Sequence, residues 1–96
     1  MSQVDDVLKQ RLARYGYFDE HAKITQELKS VINGELLKRG KVLDDDMQEA
    51  LDMICHKIGR IVNGDPNYDD NWIDIAGYAT LVANRLNGTG IYAPTT

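Results

Sequence analysis

Apolar residues recur at every third or fourth position along four stretches of the chain, with polar residues at the positions between them. This spacing places the apolar side chains on one side of an α-helix. It predicts helices over residues 4–15, 19–33 and 44–63, and a fourth from residue 69 or 70 to residue 87. A glycine, alone or after an asparagine, follows each stretch, as is common at helix ends. No stretch alternates in the manner of a β-strand.

The connections between the helices complete the predicted architecture. Residues 35–42 are expected to form a loop that crosses to the third helix. Asp65-Pro66 marks a tight turn between the last two helices, which we expect to pack as an antiparallel hairpin. The predicted fold class is therefore all-α, a four-helix bundle-like protomer over residues 1–88 with a C-terminal tail over residues 89–96.

The two apolar stripes of the hairpin are predicted to face the core. On the third helix the stripe consists of Met47, Ala50, Leu51, Ile54, Cys55, Ile58, Ile61 and Val62. On the fourth helix it consists of Trp72, Ile75, Ala76, Ala79, Val82, Ala83 and Leu86. Cys55 is the only cysteine, so it has no partner for an intrachain disulfide, and we expect it to be a small buried hydrophobic residue.

Length and charge narrow the possible partners. A chain of 96 residues is one small domain that buries a modest share of its surface, so we expect oligomerisation to complete the core. A net charge of −4 argues against DNA or RNA polymers, but a divalent cation can still bridge acidic side chains to a nucleotide. The first residues lack the apolar core of a signal peptide, and no apolar run spans a bilayer. We therefore expect a cytoplasmic protein without a membrane partner.

Carboxylates stand at helical spacing on both helices of the hairpin. Glu49 and Asp52 lie on the third helix, and Asp70 and Asp74 on the fourth. Carboxylates three or four residues apart on neighbouring helices supply the oxygen ligands that hard divalent cations prefer. A magnesium ion at such a site would neutralise a triphosphate during phosphoanhydride cleavage.

Basic and aromatic side chains accompany these acids. His56, Lys57 and Arg60 are candidates for contacts with phosphate oxygens, and Tyr78 is a candidate for stacking on a base. Trp72 belongs to the core stripe, so we expect it to pack rather than to stack on a ligand. His21 lies beside the apolar stripe of the second helix, which favours a packed or capping role. For His56 a plain surface position remains an alternative to a phosphate contact.

The carboxylate spacing has a plainer interpretation. Each acidic stripe lies opposite the apolar stripe of its helix, where a solvated face belongs, and spacing alone slightly favours that interpretation. The same faces also carry Met53, Tyr78 and Leu81, which a purely solvated face does not need. We therefore expect another layer, most simply a second subunit, to cover these faces.

The strings YGYFDEHAKITQELK and EALDMICHKIGRIVNGDPNYDDNWIDIAGYATLVANRL closely resemble a group of small phage and prophage proteins over residues 14–86. Those proteins are in turn similar to the MazG-like, all-α nucleoside triphosphate pyrophosphohydrolases. This resemblance implies a dimer or tetramer in which helices from two subunits bury the site. For a phage-encoded chain it implies a location in the host cytoplasm.

The MazG-like pattern is ExxE on one helix and ExxD on the next, which together bind Mg²⁺. Glu49 and Asp52 match the first pair, with aspartate in place of the second glutamate, and Asp74 matches the last residue of the second pair. The chain departs from the pattern at Asn71, a neutral amide at the remaining glutamate position. Asp70, one turn before Asp74, is the nearest replacement.

Three function hypotheses remain open. The first is a Mg²⁺-dependent pyrophosphohydrolase of NTPs or dNTPs. Its metal ligands would be Glu49, Asp52 and Asp74, its catalytic groups Asp70 and Lys57, and its substrate contacts His56, Lys57, Arg60 and Tyr78. The second is a non-catalytic phage protein that binds and sequesters a host nucleotide-derived defence signal, which Asn71 favours. The third is a structural or protein-binding module whose contact surface is the face that carries Met53, Tyr78 and Leu81.

Overall fold

The computed structural model describes residues 2–90, and over that range the chain is all-α, without a strand. The helices are α1 (Ser2–Tyr15), α2 (Phe18–Lys38), α3 (Asp45–Asn63) and α4 (Asp69–Asn87). The prediction of an all-α fold is confirmed. Of the predicted tail over residues 89–96, residues 91–96 lie outside the described residues.

α2 continues past the asparagine-glycine pair at 33–34 that predicted its end, and it stops at Lys38. Leu36 lies one turn after Ile32 on the side that packs on α3, and both side chains are partly buried. Burial of this extra turn outweighs the cost of about 1 kcal/mol for a glycine inside a helix. The prediction of a loop over residues 35–42 is therefore wrong in its first half.

α3 is the central helix. α2 packs on one side of it and α4 on another, while α2 and α4 do not contact each other in the described part of the chain. Both neighbours run antiparallel to α3: Gln48 near its start donates to Asn33 of α2 at 3.3 Å, and Asp46 binds Arg85 at the end of α4. These three helices form a single layer, and α1 contacts α2 and α3.

The turn between α1 and α2 is fastened to the end of α3. Asn63 Nδ2 donates to the backbone carbonyls of Tyr15 at 3.0 Å and Tyr17 at 2.9 Å. A side chain at Gly64 would collide with the backbone of α1, so this close approach requires a glycine. The sequence pattern predicted residues 63 and 64 only as a helix end, whereas they also hold α1 in place.

Few apolar side chains are fully buried. Among the described residues they are Ala50 and Cys55, and the 2 % exposure of Cys55 agrees with its predicted burial. The predicted core position of Trp72 is wrong, because this side chain is 53 % exposed, and Leu86 is exposed as well. The physical reason is that α4 turns its polar side, which includes Asp74, toward a basic side chain of α3. None of the described helices has the length and apolar character needed to cross a membrane.

Candidate ligand-binding site

The predicted substrate contacts are divided between two sides of α3. His56 and Arg60 are one turn apart and face α1 and the start of α2, where they line a cavity. Lys57 faces α4 instead, because a step of one residue rotates a side chain by about 100° around the helix. Tyr78 of α4 lies on that second side as well. The structure therefore does not bring these four residues together.

A partly buried ion pair joins α3 to α4. Lys57 is 8 % exposed, and its Nζ lies 2.9 Å from Asp74 Oδ2. Asn71, one turn before Asp74, is 1 % exposed, and its Nδ2 has no hydrogen-bond partner. This part of the hairpin therefore presents an ammonium group and an amide donor beside a single carboxylate.

Arg85 binds two carboxylates at the other end of the hairpin. It donates to Asp46 and to Asp44, the second at 3.0 Å. The hydrogen bond from Arg85 holds the pKa of Asp46 below its usual value, and the two carboxylates raise the pKa of Arg85. Beside them Glu49 and Tyr78 line a cavity of about 270 Å³ between the two helices.

Part of the predicted cover over the polar faces comes from within the chain. Tyr78 and Leu81 line the cavity between α3 and α4 together with Ala50. The facing helix of the hairpin thus accounts for Tyr78 and Leu81, and cover by a second subunit remains a prediction. Tyr78 and Leu81 belong to the surface proposed for a protein-binding module, and both are partly buried beside α3.

The three predicted magnesium ligands do not converge on one point. Asp52 accepts a hydrogen bond from Gln48 at 3.1 Å on the side of α3 that faces α2. Asp74 is engaged by Lys57, and Glu49 lines the cavity farther along the hairpin. The described residues contain no group of three or more His, Cys, Asp or Glu side chains placed to hold a metal ion. The donor set of this chain, with an ammonium against Asp74, does not fit Mg²⁺.

Asp70, the predicted water-orienting group, has a different partner. It accepts a hydrogen bond from the Tyr68 hydroxyl at 2.8 Å, and this bond raises the pKa of Tyr68. The guanidinium of Arg14 lies 4.9 Å from the centre of the Tyr68 ring. Asp70 thus helps to hold an aromatic ring against the end of α1.

A cavity of about 330 Å³ lies between α1, the start of α2 and the second half of α3. We call it the α1–α3 cavity. Its lining consists of Leu8, Arg11, Leu12, Tyr15, Gly16, Tyr17, Phe18, His21, His56 and Arg60. A volume of this size lies at the lower end of the range for small-molecule sites, and apolar walls with a few polar groups are typical of them.

The charge of the α1–α3 cavity is opposite to that of the whole chain. Arg11 and Arg60 line it, and no carboxylate among the described residues does. The Arg60 guanidinium lies 4.0 Å from the centre of the Tyr15 ring, within cation–π distance. This contact orients the guanidinium, whose remaining N–H groups suit an anion.

Two histidines form the floor of the α1–α3 cavity. The rings of His21 and His56 pack edge to face with their centres 4.6 Å apart. His21 is buried, as its predicted packed role requires, and its Nε2–H donates to the His56 backbone carbonyl at 2.9 Å. Burial, followed by the charge of Arg60, lowers the pKa of His56 to about 4. At neutral pH His56 is therefore an uncharged imidazole that can donate or accept a hydrogen bond.

Sequence reasoning found part of this site. It proposed His56 and Arg60 as phosphate contacts, but it missed Arg11, Tyr15 and Phe18. The available signal was the run of aromatic residues between two helices, preceded by arginines. Arginines near the end of a helix are also favoured by the negative end of its dipole, so their presence alone does not indicate a site.

Fold and site together define an all-α protein with an aromatic cavity between α1, α2 and α3 that two arginines line. The chain belongs to the family described as Domain of unknown function (DUF6378), whose model matches residues 2–86. Neither the curated proteins nor the solved structures show a significant similarity to it.

Proposed function

We propose that this protein binds a nucleotide or a nucleotide-derived small molecule in the α1–α3 cavity and does not cleave it. The observation that carries this proposal is the Arg60 guanidinium held on the Tyr15 ring beside an uncharged His56. A nucleobase is a planar ring that packs well on aromatic and apolar walls, and a phosphate is an anion that guanidinium groups bind strongly. The cavity supplies both kinds of contact.

The proposal does not include cleavage of the ligand because of where the acidic side chains lie. Glu49, Asp52 and Asp74 do not line the α1–α3 cavity, so they are not positioned to act on a ligand there. His56 is an uncharged imidazole at neutral pH, and no carboxylate among the lining residues is there to orient it as a general base. Binding is the chemistry that the remaining groups support.

The resemblance to phage and prophage proteins extends the proposal. In a phage-infected cell a protein of this kind would sequester a host nucleotide-derived defence signal in the cytoplasm. A ligand bound without cleavage is removed stoichiometrically, one molecule for each cavity.

Thermal shift against a panel of nucleotides, cyclic nucleotides and ADP-ribose derivatives tests the proposal. We expect at least one member to raise the melting temperature without added metal, because binding to the folded state stabilises it by mass action. Arg60→Gln removes the guanidinium and should abolish the shift. Arg39→Gln is the matched control, because Arg39 is exposed and pairs with Glu35 away from the cavity.

Two outcomes contradict the proposal. A flat response across the whole panel would favour the structural or protein-binding module instead. Equal shifts in the wild type and in Arg60→Gln would place the ligand elsewhere in the molecule.

A Mg²⁺-dependent nucleoside triphosphate pyrophosphohydrolase is the second candidate. One observation favours this candidate. Glu49 of α3 and Asp74 of α4 match the MazG-like pattern, and both lie where α3 and α4 face each other. Because the donor set of one chain does not fit magnesium, we derive no chemical step through the metal. Incubation with Mg²⁺ and NTPs or dNTPs followed by pyrophosphate detection distinguishes this candidate, since the binding proposal expects none.

We further propose that the functional form is a homo-oligomer. The small number of buried apolar side chains supports this proposal, because a domain that buries so few is expected to cover its remaining apolar surface with another chain.

A further inference from the structure

The apolar stripes of three helices lie on one side of the layer that they form. We define this open face by Ile24 and Leu28 of α2, Ile54 and Ile58 of α3, and Ile75 and Leu86 of α4. None of these six side chains is fully buried in the described chain.

The position of the α3 stripe follows from the helical step. His56 and Arg60 point toward the α1–α3 cavity, and Lys57 points toward α4. At about 100° per residue, Ile54 and Ile58 point roughly opposite to His56. The open face and the ligand cavity are therefore on opposite sides of α3.

The neighbouring helices turn their stripes the same way. α2 and α4 are both antiparallel to α3, and the sides that they pack on α3 are marked by Thr25 and by Asp74. From each of these sides a rotation of roughly 90° around the helix reaches the apolar stripe. For both helices that rotation leads to the side of the layer on which Ile54 and Ile58 lie.

A single layer of helices cannot bury its own apolar side. Stable domains pack at least two layers of secondary structure around a core. Here α2 and α4 do not touch across the open face, and α1 lies against the other parts of α2 and α3 that form the ligand cavity. The described residues therefore provide no second layer over this face.

The size of the open face matches one side of a stable dimer. A helix of 19 residues, such as α3, is ~28 Å long, and three helices packed ~9 Å apart are ~27 Å wide. The footprint is thus roughly 750 Å², against the ~800 Å² that each partner buries in a standard interface.

The composition of its central strip suits a second copy of the same chain. A twofold interface pairs a surface with itself, so any charge at its centre would lie near an identical charge. The α3 part of the open face, Ile54 and Ile58 with Leu51 and Ile61 beside them, contains no charged side chain. A partner that binds through its own charged side chains would find no opposite charge in this strip.

We propose that a second copy of this chain covers the open face, and that the two α1–α3 cavities remain outside the interface. This inference rests on the homo-oligomer in the proposed function and specifies its contact surface. It differs from the expectation drawn from the MazG-like resemblance, in which helices of two subunits bury the ligand site. Each protomer here holds a complete cavity.

Sedimentation equilibrium of the wild-type protein, compared with Ile58→Glu, tests this inference. We expect a dimer for the wild type, and association that is weaker by roughly tenfold or more in the variant, because an unpaired carboxylate would be buried in the interface. Val42→Glu is the matched control: Val42 is 95 % exposed in the loop before α3, and this variant should remain dimeric. Circular dichroism verifies that each variant is folded.

A measurement on the wild type keeps the test independent of variant folding. A soluble paramagnetic agent should broaden the methyl signals of Val42 strongly and leave those of Ile54 and Ile58 sharp. A monomeric wild type, or a dimer in which these isoleucine methyls are accessible to the agent, would overturn the inference. If nucleotides still raise the melting temperature of Ile58→Glu, ligand binding does not depend on the dimer, and the two proposals are tested separately.

Discussion

Gly59 of α3 packs against Thr25 and His21 of α2, and its replacement by alanine tests the packing beneath the α1–α3 cavity. An added Cβ would stand 2.5 Å from Thr25 Oγ1 and 2.8 Å from His21 Cδ2. Alanine normally stabilises a helix interior by about 1 kcal/mol relative to glycine. Overpacking of a tight contact costs about 1–3 kcal/mol, so we expect a net loss of ~0–2 kcal/mol in the free energy of unfolding.

Gly77→Ala is the matched control. Gly77 is also inside a helix, but an added Cβ there would meet nothing within 4 Å, so only the propensity gain of ~0.5–1 kcal/mol applies. Urea unfolding followed by circular dichroism, at one fixed protein concentration, gives both values. The reasoning would be refuted if Gly59→Ala proved as stable as Gly77→Ala, because the contact of α3 with Thr25 and His21 would then be looser than the structure shows.

Three further predictions concern the turn, the histidine and the ion pair. Asn63→Ala removes two hydrogen bonds to the α1–α2 turn, so faster hydrogen exchange in α1 and a loss of ~1–2 kcal/mol are expected; unchanged protection of α1 would contradict this. The folded-state pKa of His56, about 4, lies below its unfolded value of ~6.5, so the unfolded chain binds more protons and stability should fall as the pH drops from 6.5 to 4. The free energy of unfolding, measured in urea, should therefore fall between pH 7 and pH 4.5. The fall should be larger in the wild type than in His56→Gln by on the order of 1–2 kcal/mol, after allowance for solvent screening. Lys57→Met should leave stability within about 1 kcal/mol of the wild type, whereas Asp74→Ala should cost ~1–3 kcal/mol because it leaves the ammonium buried without its partner; equal effects of the two substitutions in urea unfolding would refute that account.

The sequence predicted the helices well where helical periodicity and a clear end signal coincided. The hairpin is the best example, since α3 and α4 end at Asn63 and Asn87 as their following glycines indicated. α2 shows the limit of such signals. The glycine at position 34 resembled a helix end, but burial of Leu36 continued the helix, and this contact depends on the distant α3.

The orientation of α4 could not be predicted from its own pattern. Its apolar stripe indicated a core that includes Trp72, yet the helix turns Asp74 and Arg85 toward α3. Buried or partly buried ion pairs specify this orientation, and their partners, Lys57 and Asp46, belong to another helix. A pattern within one helix does not contain that information.

The candidate site was predicted only in part for a similar reason. His56 and Arg60 were proposed for phosphate contacts because they share one side of α3, and the structure places both in one cavity. Their aromatic and basic companions, Tyr15 and Arg11, belong to α1. The α1–α2 turn brings them there because Asn63 binds its backbone.

The most direct test of the central claim is isothermal titration of the wild-type protein with the best nucleotide of the panel, in EDTA, followed by mass analysis of the recovered ligand. We predict saturable binding with one ligand per chain, loss of binding in Arg60→Gln but not in Arg39→Gln, and recovery of the ligand intact. Absence of binding by every nucleotide tested, or recovery of a cleaved product, would contradict the account.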